Sequence, residues 1–254
     1  MKHIYSFDFN FFSKKNNTFF YFLGLMASDG NITPNNKRFS LGQSGEHGKD
    51  LITFLLNKMG SNHKIYNRKN HFSFSISNEK VVKILSKYNI KPKKTLTYEI
   101  PDFNVKELKL FLQGYLDGDG CVGIYDNGLG VKYLSISMVG TERFVKKLNN
   151  ILPIKGNIRK IGRCKNLFDI RFNGKNAVDL GHFIYDDICY NSYKYNKFKS
   201  FINDGDMGNK YMKYYNIKND IILELKNGVK PIDLQKKYGL PYKTIYTWKT
   251  RYVN

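Results

Sequence analysis

The chain has 254 residues, with 42 Lys plus Arg against 21 Asp plus Glu and a formal net charge of +21 at pH 7. Hydrophobic residues at 41% and aromatics at 15% are enough for a packed core, which excludes a disordered chain. No apolar run approaches the roughly 20 residues that span a bilayer, the first residues lack a signal-peptide pattern, and the scattered Cys121, Cys164 and Cys189 form neither a disulfide framework nor a zinc motif. The expectation is a soluble protein of the cytoplasm, or of an organellar or phage-host cytosol, not secreted. Its basic excess faces a polyanion, nucleic acid before a membrane surface.

In chain order, Phe19 to Met26 is apolar almost all round and reads as a buried helix that stops at Asp29-Gly30. RFSLGQ (38–43) and FSFSIS (72–77) alternate as strands do, while 50–60 and 78–88 have helical spacing. The pattern then starts again. LFLQGYLDGDGCV (110–122) matches FYFLGLMASDGNI (20–32) at an offset of 90, and it is followed by YLSISMV (133–139), TERFVKKLNNIL (141–152), FDIRFN (168–173) and KNAVDLGHFIY (175–185). Each half is thus helix, two strands, helix, two strands, helix, an α+β pseudo-dimer. The ends of the halves also correspond, IKPKKT (90–95) with YKYNKF (193–198), which brings Lys94 and Lys194 to nearly the same offset.

A glycine inside a helix costs about 1 kcal/mol relative to alanine, and its usual compensation is close approach of another backbone. Gly24 and Gly114 therefore mark a helix–helix interface. An acid at a helix C-terminus opposes the macrodipole, so stability alone does not place Asp29 and Asp119 there. The glycines after them, Gly30 and Gly120, are free to take positive φ. Paired carboxylates beside a phosphate-binding surface suit Mg²⁺ and metal-assisted phosphodiester hydrolysis.

These residues resemble the LAGLIDADG homing endonucleases in their single-chain, two-motif form, over roughly residues 15 to 200. The nonapeptides read FLGLMASDG (22–30) and LQGYLDGDG (112–120), and the first departs from the family at Ala27. The resemblance implies a saddle of two antiparallel sheets lying along the major groove of double-stranded DNA, cut as a long asymmetric target to leave short 3′ overhangs. It implies Asp29 and Asp119 as metal-binding catalytic acids, with Gly30 and Gly120 beside them in the metal set and two or three Mg²⁺ ions shared by the sites. Lys94 and Lys194 match the basic position near each scissile phosphate, with Lys197 as competitor, and Gln43 is the candidate for orienting water. Strand residues for base and phosphate contact are Arg38, Ser40, Asn67, Lys69, Arg159, Lys160, Arg163 and Arg171. Such an enzyme would act as a monomeric pseudo-dimer encoded in a mobile element, free-standing or in an intron.

After a polar stretch read as a linker (203–216), residues 217–254 form a separate domain in which Leu234, Tyr238, Gly239, Leu240, Ile245 and Trp248 fall at the spacing of a helix-turn-helix. It resembles those of transposases and resolvases, except that Gln235 stands where a small residue is usual. Its recognition helix would offer Tyr242, Lys243, Thr244, Thr247 and Lys249 to a major groove. Two other readings of the whole chain stay open: a non-cleaving transcription regulator on the same scaffold, and a maturase that binds intron RNA. Of the total charge, +16 lies on residues 1–202 and +5 on the rest, so both parts are built to meet a polyanion.

Overall fold

A computed structural model describes residues 5–126, 131–162, 166–186, 190 and 192–253. The chain divides into two compact units, 1–124 with 134–200, and 125–133 with 201–254. In the first half of the larger unit a short helix α1 (Asn10–Ser13) leads into α2 (Asn17–Ser28). The Asn16 side chain accepts the Phe19 N–H and so caps α2, which is buried from Phe19 to Ala27. Then come β1 (Asn31–Ile32), β2 (Arg38–Ser44), α3 (Gly45–Lys58), β3 (Tyr66–Arg68), β4 (His71–Ser77) and α4 (Glu79–Ser86). A 3-10 turn, Lys94–Leu96, closes the half.

The second half answers element for element, with α5 (Val105–Asp119), β5 (Gly120–Asp126), β6 (Lys132–Thr141), α6 (Glu142–Ile151), β7 (Asn157–Lys160), β8 (Leu167–Asn173) and α7 (Lys175–Tyr185). A full capping box, Asn104 with Glu107, starts α5. It ends not in a 3-10 turn but in a helix, α8 (Tyr193–Asn203). Both sheets are antiparallel, ordered β1-β2-β4-β3 and β5-β6-β8-β7. Helix α3 begins five residues before the apolar spacing of 50–60 indicates, because Gly45 at φ 78 turns the chain directly from strand into helix.

Alternation buries one face of each sheet. Phe39, Leu41, Phe72, Phe74 and Ile76 point inward from the first, and Ile136, Met138, Ile170 and Phe172 from the second. In the first half these residues join edge-on rings of Phe11, Phe12 and Phe22.

In the smaller unit the polar stretch 203–216 is not an irregular linker, since α9 (Gly205–Lys226) runs through most of it. Helices α10 (Pro231–Tyr238) and α11 (Tyr242–Tyr252) follow, joined at Gly239, whose φ of 67 needs glycine. Ile221, Leu225, Leu234, Ile245 and Trp248 form their shared core. Gln235 does not prevent α10 from packing on α11. Glu224 holds α9 to α10 by accepting from Lys237 Nζ at 2.8 Å and Tyr238 Oη at 2.6 Å.

Candidate active site at the paired helix ends

Helices α2 and α5 pack on each other through the two mid-helix glycines. A Cβ on Gly24 would overlap the Phe111 carbonyl oxygen, and one on Gly114 would overlap the carbonyl of Tyr21. The contact is reciprocal, as a duplicated helix pair requires, and it sets the C-terminal ends of both helices side by side. Gly30 and Gly120 do not take the positive φ expected of them. Gly120 is extended at φ −86, and Gly30 is absent from the left-handed residues. What demands glycine is crowding, since a Cβ on Gly30 would stand 2.5 Å from the Met26 carbonyl oxygen and one on Gly120 2.6 Å from Leu116 Cα. Their N–H groups fold back onto Leu25 O and Leu116 O.

No basic residue lies in the last turn of either helix. The carbonyl ends are met instead from far along the chain. Lys94 Nζ donates to Ser28 O at 2.9 Å, and Lys194 Nζ donates to the carbonyls of Leu116, Asp117 and Gly118. Each lysine reaches the motif helix of its own half, and the competitor Lys197 makes no such bond among the described residues. Burial holds both lysines below the usual ammonium range, while Asp119 and Asp29 pull Lys94, and Asp117 before Asp29 and Asp119 pulls Lys194, back toward charge. Asp29 is pushed above the usual carboxylate range by burial and by the charge of Asp119. A hydrogen bond from Gln43, and then Lys194 and Lys94, oppose that shift. Gln43 Nε2 donates to Asp29 Oδ2 at 2.6 Å.

Two carboxylates and two ammonium groups thus share one electrostatic neighbourhood. Asp29 is held up by burial first and by Asp119 second, both of which a hard divalent cation offsets, and the donors at hand are oxygens, as Mg²⁺ prefers. Among the described residues no three of His, Cys, Asp and Glu converge. The pair fits a cation that draws its remaining ligands from water and a phosphate, the usual habit of Mg²⁺.

One acid was missed by reading the motifs for their penultimate residue. Asp117, on the buried side of α5, accepts Tyr21 Oη at 2.6 Å and is itself raised by burial, and its Oδ1 has no hydrogen-bond partner. A pocket of about 620 Å³ opens beside it, lined among others by Asp29, Gln43, His47, Phe54 and Lys194.

No family model and no curated protein matches the sequence. Solved structures do match. The meganuclease I-SmaMI bound to uncleavable DNA aligns at TM-score 0.54 with 12% identity, over 74% of this chain and 88% of that one. I-LtrWI, a LAGLIDADG homing endonuclease bound to target DNA, aligns at 0.52 with 16% identity over 76% and 91%. The LAGLIDADG meganuclease I-AabMI bound to uncleaved DNA aligns at 0.52 with 15% identity, also over 76% and 91%. The chain has the LAGLIDADG homing endonuclease fold.

Within that fold, strand parity sorts the candidate contact residues. Arg38 and Ser40 point outward with His71, Ser73, Ser75 and Ser77, and Arg159 and Arg171 share the corresponding face of the second sheet with Asn157 and the buried Ser137. Asn67 and Lys160 do not share those faces, because each is paired with an inward phenylalanine, Phe72 and Phe168. Tyr66 and Arg68, which flank Asn67, take the outward places in β3. Lys69 sits in the β3–β4 turn at φ 51, and Arg163 lies outside the described residues. Arg159 and Arg171 are not free cations, since both pair with the buried Asp169, at 2.8 and 3.3 Å. On α11 Tyr242, Lys243 and Thr247 are exposed, Thr244 and Lys249 are half-buried, and the exposed Tyr246 stacks on Tyr242.

Proposed function

We propose that the chain is a site-specific, double-strand DNA endonuclease of the homing type, hydrolysing one phosphodiester in each strand of a long asymmetric target. One observation carries this reading: each repeat delivers one acid, Asp29 or Asp119, and one lysine, the buried Lys94 or the half-buried Lys194, to a single neighbourhood at the helix ends. A scaffold kept only for binding has no use for two acids in the middle of a surface of net charge +21. The homologous folds of I-SmaMI, I-LtrWI and I-AabMI, each solved with DNA, support a DNA substrate.

Asp29 and Asp119 would hold divalent cations, Mg²⁺ by preference, which supply Lewis-acid polarisation of the phosphodiester and a more acidic water. The chain's own residues do the rest. Lys94 and Lys194, fixed on main-chain carbonyls, present positive charge that does not reorganise as the phosphate gains charge. Gln43 fixes the Asp29 carboxylate. Arg38 and the outward serines of the first sheet, with Arg159 and Arg171 of the second, contact base edges and phosphates. The α9–α11 unit acts as a helix-turn-helix that adds contacts through Tyr242, Lys243, Thr244, Thr247 and Lys249.

The test is incubation with a randomised duplex library, with and without Mg²⁺. Enrichment of one long site among metal-dependent double-strand cuts is the expected result, and binding without cutting under every metal would instead establish a regulator. Removing residues 203–254 should weaken binding and shorten the footprint while leaving the chemistry. An unchanged footprint removes the accessory role.

A further inference from the structure

One carboxylate on the outward face of the second sheet has no part in the chemistry at the helix ends. Asp169 lies within β8, opposite Val139 on one side and Arg159 on the other, and it is buried. Its Oδ2 accepts Arg159 Nε at 2.8 Å and stands 3.3 Å from Arg171 Nη2. The corresponding places in the first sheet carry no charge. Ser44 and Thr141, the N-caps of α3 and α6, pair with His71 and Leu167, and counting on from those pairs sets Asp169 against Ser73, Arg171 against Ser75 and Arg159 against Tyr66. A strand pairs without a carboxylate, and an acid on a face that must meet phosphates weakens binding, so neither sheet formation nor affinity for DNA calls for Asp169. What the carboxylate does is fix two guanidinium groups. Arg159 gives it Nε, which leaves Nη1 and Nη2, on an exposed side chain, without a partner among the described residues. Arg171 is half-buried, and its Nε has no hydrogen-bond partner, so its direction depends on Asp169.

We infer that Asp169 is a positioning residue for base readout, holding Arg159 and Arg171 so that the half of the target under the second sheet must carry guanine at one base pair or at two neighbouring ones. This rests on the DNA-binding part of the endonuclease reading and adds a base preference to it. A guanidinium fork matches O6 and N7 of guanine in the major groove, two adjacent acceptors that no other base presents there. Phosphate also fits a fork. Two guanidinium groups against one carboxylate, however, leave the cluster a single net positive charge, which suits a neutral base edge better than a phosphate, and a fixed direction suits direct readout. Both arginines converge on one oxygen, so the bases they reach lie within about two base-pair steps of each other, at roughly 3.4 Å a step. Such a fork discriminates against a wrong base by about 10- to 100-fold, and only while its direction is held. At Tyr66, Ser73 and Ser75 the first sheet offers hydroxyls, which serve donor and acceptor edges alike, so its half of the target is read less strictly at the matching place.

The experiment selects a randomised duplex library for binding to the full chain with divalent metal chelated, so that recognition is read whether or not the chain cuts. Affinity is then measured for every single-base-pair substitution of the enriched site. Wild type is expected to require guanine at one position or two neighbouring ones, where any other base weakens binding by about 10- to 100-fold. Arg159→Ala should abolish the preference at one of them. Asp169→Asn keeps the shape of the side chain and removes its charge. It and Asp169→Ala should lower the preference at that same position by about 10-fold or more, with every preference in the other half of the target kept. Asp169→Ala combined with Arg159→Ala should lose no more there than Arg159→Ala alone. Four results would each overturn the inference and leave the nuclease reading standing: a site with no such guanine, a position that Arg159→Ala flattens and both Asp169 variants leave sharp, Asp169 variants that lose all preferences together, or an Arg159→Ala that weakens every duplex alike with a shallower salt dependence, as a phosphate contact would. Selective binding with this guanine but no cutting under any metal would remove the nuclease reading alone. A chain that binds every duplex alike would remove both.

Discussion

Tyr21 gives its hydroxyl to Asp117 across the α2–α5 pair, while at the reciprocal place in the other half stand Phe111 and Ala27, which need no partner. The glycines between them did not diverge. Gly24 and Gly114 face each other's main chain in the same way, and Gly30 and Gly120 crowd the same turn of their own helices. The contrast separates two kinds of constraint on a duplicated fold. Where backbone meets backbone only glycine fits, and both copies keep it. Where side chains meet, a polar pair in one copy can become an apolar pair in the other, provided both members change together. Ala27 departs from the family motif at the place where the other half has Asp117, and Phe111 stands where the first half has Tyr21.

Substitutions at the crossing should do the most damage and should do it equally. Gly24→Val or Gly114→Val would force the helix backbones apart at a cost of about 3 kcal/mol or more. Urea midpoints that fall for one and not the other would show that the crossing is not reciprocal. The lysines should separate the halves instead. Lys194→Met removes three hydrogen bonds to helix-end carbonyls, of which Leu116 O keeps the Gly120 N–H, and Lys94→Met removes one, so the first should cost about 2 to 3 kcal/mol and the second about 1 in the same titration. Matching losses would mean that the carbonyl bonds do not set their stability.

Copying one half onto the other gives a finer probe. Tyr21→Phe takes the phenol donor from the Asp117 carboxylate, which keeps Ser192, and should cost about 1 to 3 kcal/mol. Adding Asp117→Ala should recover much of that, and a double-mutant cycle with no coupling would deny the pair. The smallest effect concerns pH. Asp29 is raised in the folded state, so that state binds its proton more tightly than the unfolded chain does. Stability is then full below the ordinary carboxylate range and falls as pH rises through the raised value. Without divalent metal at neutral pH, Asp29→Asn should therefore stabilise the protein, by about 0.5 kcal/mol or less because the open carboxylate tip is screened by solvent. The gain should vanish at acid pH, and a gain that persists there would have another cause.

Much of this site could be read from the residues because its constraints are those that sequence displays directly. A repeated Gly at the third position of a nonapeptide that ends in Asp-Gly exposes the crossing and the acids together, and the correspondence between the ends of the halves exposes Lys94 and Lys194. Other features depend on register. Strands β3 (YNR) and β7 (NIRK) are too short and too polar to alternate visibly, so sequence does not separate Asn67 and Lys160, exposed but paired with inward phenylalanines, from the outward residues. At Gly30 and Gly120, crowding by the chain's own previous turn leaves no mark in the sequence that distinguishes it from a need for positive φ.

The central claim is that the two acids cut DNA that the rest of the molecule holds. Its most direct test compares wild type with the Asp29→Asn, Asp119→Asn double variant on the enriched duplex, reading binding and cleavage in the same Mg²⁺ buffer. The account predicts undiminished binding with no cleavage of either strand. Cleavage that survives the double substitution would contradict it.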